Sequence, residues 1–242
     1  MSTYTRPFIE PLKFRDESGT VIDYGRRWAD LEGPPESMYS VVEHPERFAP
    51  LHTVAAAVVA HLVENYDVDV EEGYSVLSGH RHAPGAEYVT RAVRLTPRSA
   101  FAAPVTLAWT NDPAIRVYAG ALFETSSPSC SCEACDERWN ECADRLEEQV
   151  FSITAGGLSE HVSEPKRPKW SFEWGKGLVQ GMGQTISYRL RGLDGESEES
   201  GQTRAESVPA EMLESAQITL RAVHLASPTH AWMPWPKKPR RT

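Results

Sequence analysis

Apolar and polar positions recur along this chain with two periods, and the switch between them marks out its elements. Over 50–65, Leu51, Val54, Ala55, Val58 and Leu62 fall on one helical face, and Pro50 suits a first turn, where a missing N–H is no loss. Over 139–153, Trp139, Ala143, Leu146, Val150 and Ile153 step by threes and fours, which predicts a second helix from 136 to 155. Asp136 would be its N-cap and Gly156-Gly157 its stop. Met212, Ala216, Leu220 and Val223 predict a third helix over 208–226. Between the first two helices the period drops towards two. Strands are predicted at 66–70, 88–95, 105–110 and 115–123, separated by Pro97, by Asn111-Asp112-Pro113 and by 126–128. The short connections imply an antiparallel meander. After the second helix, Trp170, Phe172 and Trp174 alternate, predicting a strand whose partner is 186–191.

These elements make an α+β protein: a mostly antiparallel sheet, meander plus hairpin, with two to three long helices packed on it. The first 45 residues are broken by prolines and glycines yet carry Phe8, Ile9, Leu12, Phe14, Tyr24, Trp28 and Leu31. They are expected to wrap over the rest, with a short helix near 26–31. Five acidic residues fall within 194–206 among serines and glycines, and a flexible solvated loop is expected there. The last stretch, 227–242, reads as a Pro-rich basic tail. The organisation expected is therefore a single α+β domain over 1–226, followed by that tail.

Composition narrows the function classes. Of 242 residues, 40% are hydrophobic and 24% charged, which suits a folded chain. The formal net charge of −9 repels phosphate backbones and argues against nucleic acid as a partner. No stretch approaches the roughly 18 apolar residues of a membrane span. The first residues lack a basic start and an apolar run, so a cytoplasmic chain without membrane contact is expected, with a protein partner left open. The glycines at 175, 177, 181 and 183 miss the phosphate-cradling patterns, and neither G-x-S-x-G nor H-E-x-x-H occurs. No catalytic signature is found. The segment 43–52 is read as a capping turn at a helix start, and the Trp170, Phe172, Trp174 stripe as core.

The candidate chemistry lies in sulfur. All four cysteines of the chain, Cys130, Cys132, Cys135 and Cys142, fall within thirteen residues. C-x-C-x2-C places up to three thiols in one loop, and a C-x2-C turn is the shared element of many zinc sites. Zinc is therefore the candidate cofactor, held by Cys130, Cys132 and Cys135. The fourth ligand is open. Cys142 would sit about 10 Å along the predicted helix from Cys135, and it also suits the buried stripe. His80 and His82 form an H-x-H pair that could complete the site, and His44, His161 and His224 are further options. Two other readings stand beside the metal. The thiols could simply pack, or Cys132 and Cys135 could be redox-active, Cys135 lying next to a predicted helix N-terminus that lowers a thiol pKa.

The run Pro128-Ser-Cys130-Ser-Cys132-Glu-Ala-Cys135-Asp136 resembles an uncharacterised actinobacterial family, a domain of unknown function with a C-x-C-x2-C-D loop. The runs 44–52, 91–97 and 232–236 match it as well, so the resemblance spans most of the chain and implies one domain. Where the family pattern has glycine between the first two cysteines, Ser131 stands here. The resemblance brings no activity, substrate or cofactor. The reading is a binding or interaction module with a structural cysteine loop, the alternative being a thiol-based redox protein or enzyme.

Overall fold

The computed structural model describes residues 3–164, 169–173, 176–180 and 183–239. Its centre is a five-stranded antiparallel meander: β1 (Val68–Glu72), β2 (Val89–Pro97), β3 (Val105–Thr110), β4 (Ile115–Ala119) and β5 (Phe123–Ser127), in that order. Every residue of β3 is buried because both faces of the sheet are covered. On one face lie α1 (Pro50–Asn65) and α2 (Trp139–Thr154), whose stripes at Leu51, Val54, Val58, Leu62, Leu146, Val150 and Ile153 join Val93, Leu95, Leu107 and Val117 in the main core. On the other, Val76 and Leu77 from a 3-10 turn (Tyr74–Leu77) pack on Ala92, Ala108 and Tyr118.

A second antiparallel sheet has the order β10-β9-β6, formed by β6 (Leu158–Val162), β9 (Thr185–Arg191) and β10 (Glu198–Arg204). The third helix, α3 (Ala210–Ala226), follows β10. A separate two-stranded ladder joins β7 (Lys169–Glu173) to β8 (Lys176–Gln180). The expected α+β class holds.

Several expectations are corrected. The strand expected over 115–123 is two strands, because Gly120 turns the chain in the left-handed region at φ 59°. A buried carboxylate fastens that turn. Glu160 accepts the N–H groups of Ala121, Leu122 and Phe123 at 2.7–2.9 Å and the indole N–H of Trp232 at 2.8 Å. The strand over Lys169–Glu173 pairs with β8 rather than with 186–191, which instead lies between β6 and β10. The stripe's Trp174 and the side chains of Trp170 and Phe172 lie outside the described residues. The acidic run is not a loop throughout: Asp194 Oδ1 accepts the N–H groups of Glu196 and Ser197, Gly195 turns at φ 75°, and Glu198–Arg204 pairs along β9. Residues 26–31 form turns instead of a helix.

The C-terminal stretch packs against the rest of the chain through its tryptophans. Trp232 and Trp235 are buried, their indole N–H groups donating to Glu160 and to the carbonyl of Ala103. Backbone bonds tie Trp232 to Leu158, Met233 to Phe101, Trp235 to Thr154 and Lys238 to Asn65. Two indoles bury enough apolar surface to outweigh the polarity of the residues around them. Arg240 and Arg241 lie outside the described residues.

Candidate metal centre

The chain leaves β5 at Ser127 and reaches α2 only at Trp139, so the cysteine loop bridges the end of the meander and the second helix. Asp136 is not the helix cap. It adopts a left-handed conformation at φ 51°, and its Oδ2 accepts the N–H of Arg27 at 3.0 Å. Glu137 holds the start of the loop, accepting the Ser129 N–H and hydroxyl at 3.0 and 2.7 Å and pairing with Arg145.

A second carboxylate holds the middle. Glu133 is fully buried between Cys132 and Ala134. Its Oε1 accepts from Arg47 at 2.7 Å and from the Glu43 N–H at 3.1 Å, and its Oε2 accepts from Tyr24 at 2.9 Å and from Arg27. Arg47 is also buried and donates onward to the carbonyls of Ser131 at 2.9 Å and Cys132 at 3.4 Å. It lies over the ring of Tyr24. The loop's own N–H groups at Glu133 and Ala134 donate to the carbonyls of Val41 and Met38. Burial alone would raise the pKa of Glu133. The Glu43 N–H, Arg47, Tyr24 and Arg27 outweigh it and hold the carboxyl below its ordinary value. The segment before α1 thus clamps the loop from outside.

Held this way, three sulfurs converge. Cys130 Sγ and Cys132 Sγ are 3.2 Å apart, Cys132 Sγ and Cys135 Sγ 3.4 Å, and all three lie within 4.8 Å of one another. Tetrahedral zinc with sulfur at about 2.3 Å needs sulfurs about 3.8 Å apart, so Cys130 and Cys132 would open by about 0.6 Å and Cys132 and Cys135 by about 0.4 Å to hold an ion of that size. Among the described residues this is the one group of three or more such donors close enough to hold a metal ion. Cys132 is buried, Cys130 half-buried and Cys135 exposed, which leaves one side of the triangle open.

The thiols do not share one acidity. Burial resists ionisation of Cys132, but bonds from the Cys130 thiol, the Cys135 N–H and thiol and the Ser40 N–H prevail and bring it down to about 7. Cys135 is pushed up to about 12 by burial and by its bonds to Cys130 and Cys132. A first negative charge therefore settles on Cys132, and it makes a second on Cys135 costly unless a cation arrives. The helix-terminus argument for Cys135 fails, since α2 begins four residues later and its field fades within the first turn.

The structure does not bring the fourth-ligand candidates to this triangle. Cys142 is fully buried in the α2 stripe, facing Glu137 and Arg145, and burial and the Glu137 charge push its thiol up to about 12. His80 stacks on Tyr118 at 4.4 Å and meets Arg94 and Thr106. Burial and the Arg94 charge push it down to about 4. His82 pairs with Glu124 and His44 with Glu46, while His161 and His224 lie together beside β6. Sequence reasoning missed Glu133 and Arg47. The signal available was a glutamate inside the cysteine motif, which reads as a charge hostile to thiolates until its two arginines are seen.

No helix among the described residues is long and apolar enough to cross a membrane. Neither a curated protein nor a solved structure matches the chain. A family of unknown function, DUF6226, matches residues 10–239. The chain belongs to that family.

Proposed function

We propose that this chain is a binding module in which Cys130, Cys132 and Cys135 hold one zinc-class ion. The ion ties the end of the meander to the N-terminal segment and the approach to α2. The observation that carries this reading is the convergence of three sulfurs within 4.8 Å. Soft thiolates select zinc over hard cations such as magnesium or calcium. The fourth position falls to solvent or to a donor from another molecule, because among the described residues no fourth His, Cys, Asp or Glu donor joins the triangle, whose Cys135 side is exposed. Elemental analysis of purified protein beside thiol titration tests it. The expected result is stoichiometric zinc, lost on chelation together with thermal stability, and absent from Cys132→Ser. A metal-free protein with freely reacting thiols in its folded state would contradict it.

A second reading rests on the low pKa of Cys132 and its 3.4 Å approach to Cys135. In it the pair forms a reversible disulfide, two electrons and two protons passing to an oxidant such as a peroxide or a disulfide. A metal-free protein whose thiols titrate in pairs after mild oxidation would favour it.

A further inference from the structure

The second sheet has an unusual outer face. Its register sets two rows across the three strands, Ser159–Arg189–Ser200 and His161–Ser187–Gln202. All six side chains are polar, while the intervening positions, Leu158, Leu190 and Ile186 among them, turn into the core. A cavity of about 770 Å³ lies over this face, within the size range of small-molecule sites. The end of α3 and the residues after it wall one side with His224, Thr229 and His230. His224 and His161 lie parallel with centroids 6.4 Å apart, and His230 meets His224 edge-on at 5.2 Å.

The charges around these rings are one-sided. His224 donates from Nε2 to the Glu160 carbonyl at 2.9 Å. Burial pushes its pKa down, the bond to the Glu160 carbonyl offsets part of that, and His230 and His161 add to the lowering. From β6, the Glu160 carboxylate faces away, committed to Ala121, Leu122, Phe123 and Trp232. From β9, Arg189 contributes a cation. From β10, Glu198 pairs with that exposed guanidinium at 3.2 Å, a solvated contact of small energy. Three imidazoles, one arginine, four serine or threonine hydroxyls and the Gln202 amide thus surround a cavity whose exposed counter-charge, among the described residues, is Glu198. The three rings do not form a metal-ligand group, for their nitrogens are not all within the separation the cysteine sulfurs reach.

We propose that this groove binds a small molecule through a tetrahedral oxyanion, the phosphoryl or sulfuryl group of an ester. Arg189 and the histidines supply charge, and the serine hydroxyls supply donors along the two rows. The overall negative charge of the chain opposes anions at long range, so this local cluster acts at contact distance, where screening matters least.

The test is a titration of the full chain with sulfate, whose charge does not change between pH 6 and 8, followed by NMR of the imidazole signals. Saturable shifts of His161, His224 and His230 are expected. Arg189→Gln and His230→Gln, both at exposed positions, are each expected to weaken binding by about tenfold with the fold unchanged. At pH 8 a phosphate monoester and a sulfate monoester of one alcohol separate the two sources, the tighter ligand carrying the cognate group. Absence of saturable shifts with all three ligands would overturn the proposal. So would binding that both variants leave unchanged, or acetate binding as tightly as sulfate.

Discussion

At the scale of single residues, Glu133 is the side chain on which the sulfur loop depends. It is fully buried and compensated by Arg47, Arg27, Tyr24 and a backbone N–H. Removing one partner of such a pair leaves the other charge buried alone, so Glu133→Ala is expected to cost about 3–5 kcal/mol in urea unfolding. The pH dependence follows in sign. The native pKa of Glu133 lies below the unfolded value of about 4.3. Its stabilisation is therefore complete above that pH and is lost as pH falls through the native value. A Glu133→Gln variant, less stable at neutral pH, should lose less on acidification than the parent, and equal losses would show that the cluster carries no linkage. Cys132 gives a second test. In chelator-treated protein, alkylation should rise with pH through about 7 and vanish in Cys132→Ser, whereas a profile centred on the ordinary thiol value would contradict the hydrogen bonds described.

At the scale of elements, Gly120 shows what a turn can demand. It sits at φ 59°, and a β-carbon there would run into the Glu160 carboxylate and the Trp232 indole. Glu160 cannot swing away, because four donors hold it. Gly120→Ala is therefore expected to cost about 1–3 kcal/mol by thermal or denaturant unfolding. That turn was not legible, since 115–123 alternates well enough to read as one strand and the carboxylate closing the hairpin lies about forty residues away. The helices were legible because their apolar stripes face the sheet directly: α1 matches its expected span, and Ala143, Leu146, Val150 and Ile153 are buried on α2. The start of α2 was misread because Asp136 serves Arg27 instead of the helix. Asp194-Gly195 did carry a hairpin signal, but the acidic strand after it is poor in β-formers and pairs only through its neighbour β9. At the sulfur site the three cysteines could be read from spacing alone. Their clamp could not, because Tyr24, Arg27 and Arg47 come from far earlier in the chain.

At the scale of the whole molecule, the two ends of the chain do structural work that composition conceals. Tyr4 and Arg6 bond Glu147 on α2, and the segment around 38–43 grips the cysteine loop. Trp232 and Trp235 close the core from the other end, so Trp235→Ala is expected to cost about 3–5 kcal/mol, measured by denaturant unfolding. A change near zero would mean that the C-terminal stretch is dispensable. Because the loop joins the meander, the N-terminal segment and α2, an ion there would couple all three, and its removal should lower cooperativity as well as stability. The most direct measurement is zinc-edge X-ray absorption on the purified, metal-loaded chain. The account predicts three sulfur scatterers at about 2.3 Å and one lighter oxygen or nitrogen donor. A shell of oxygen and nitrogen alone, or four sulfurs including Cys142, would contradict it.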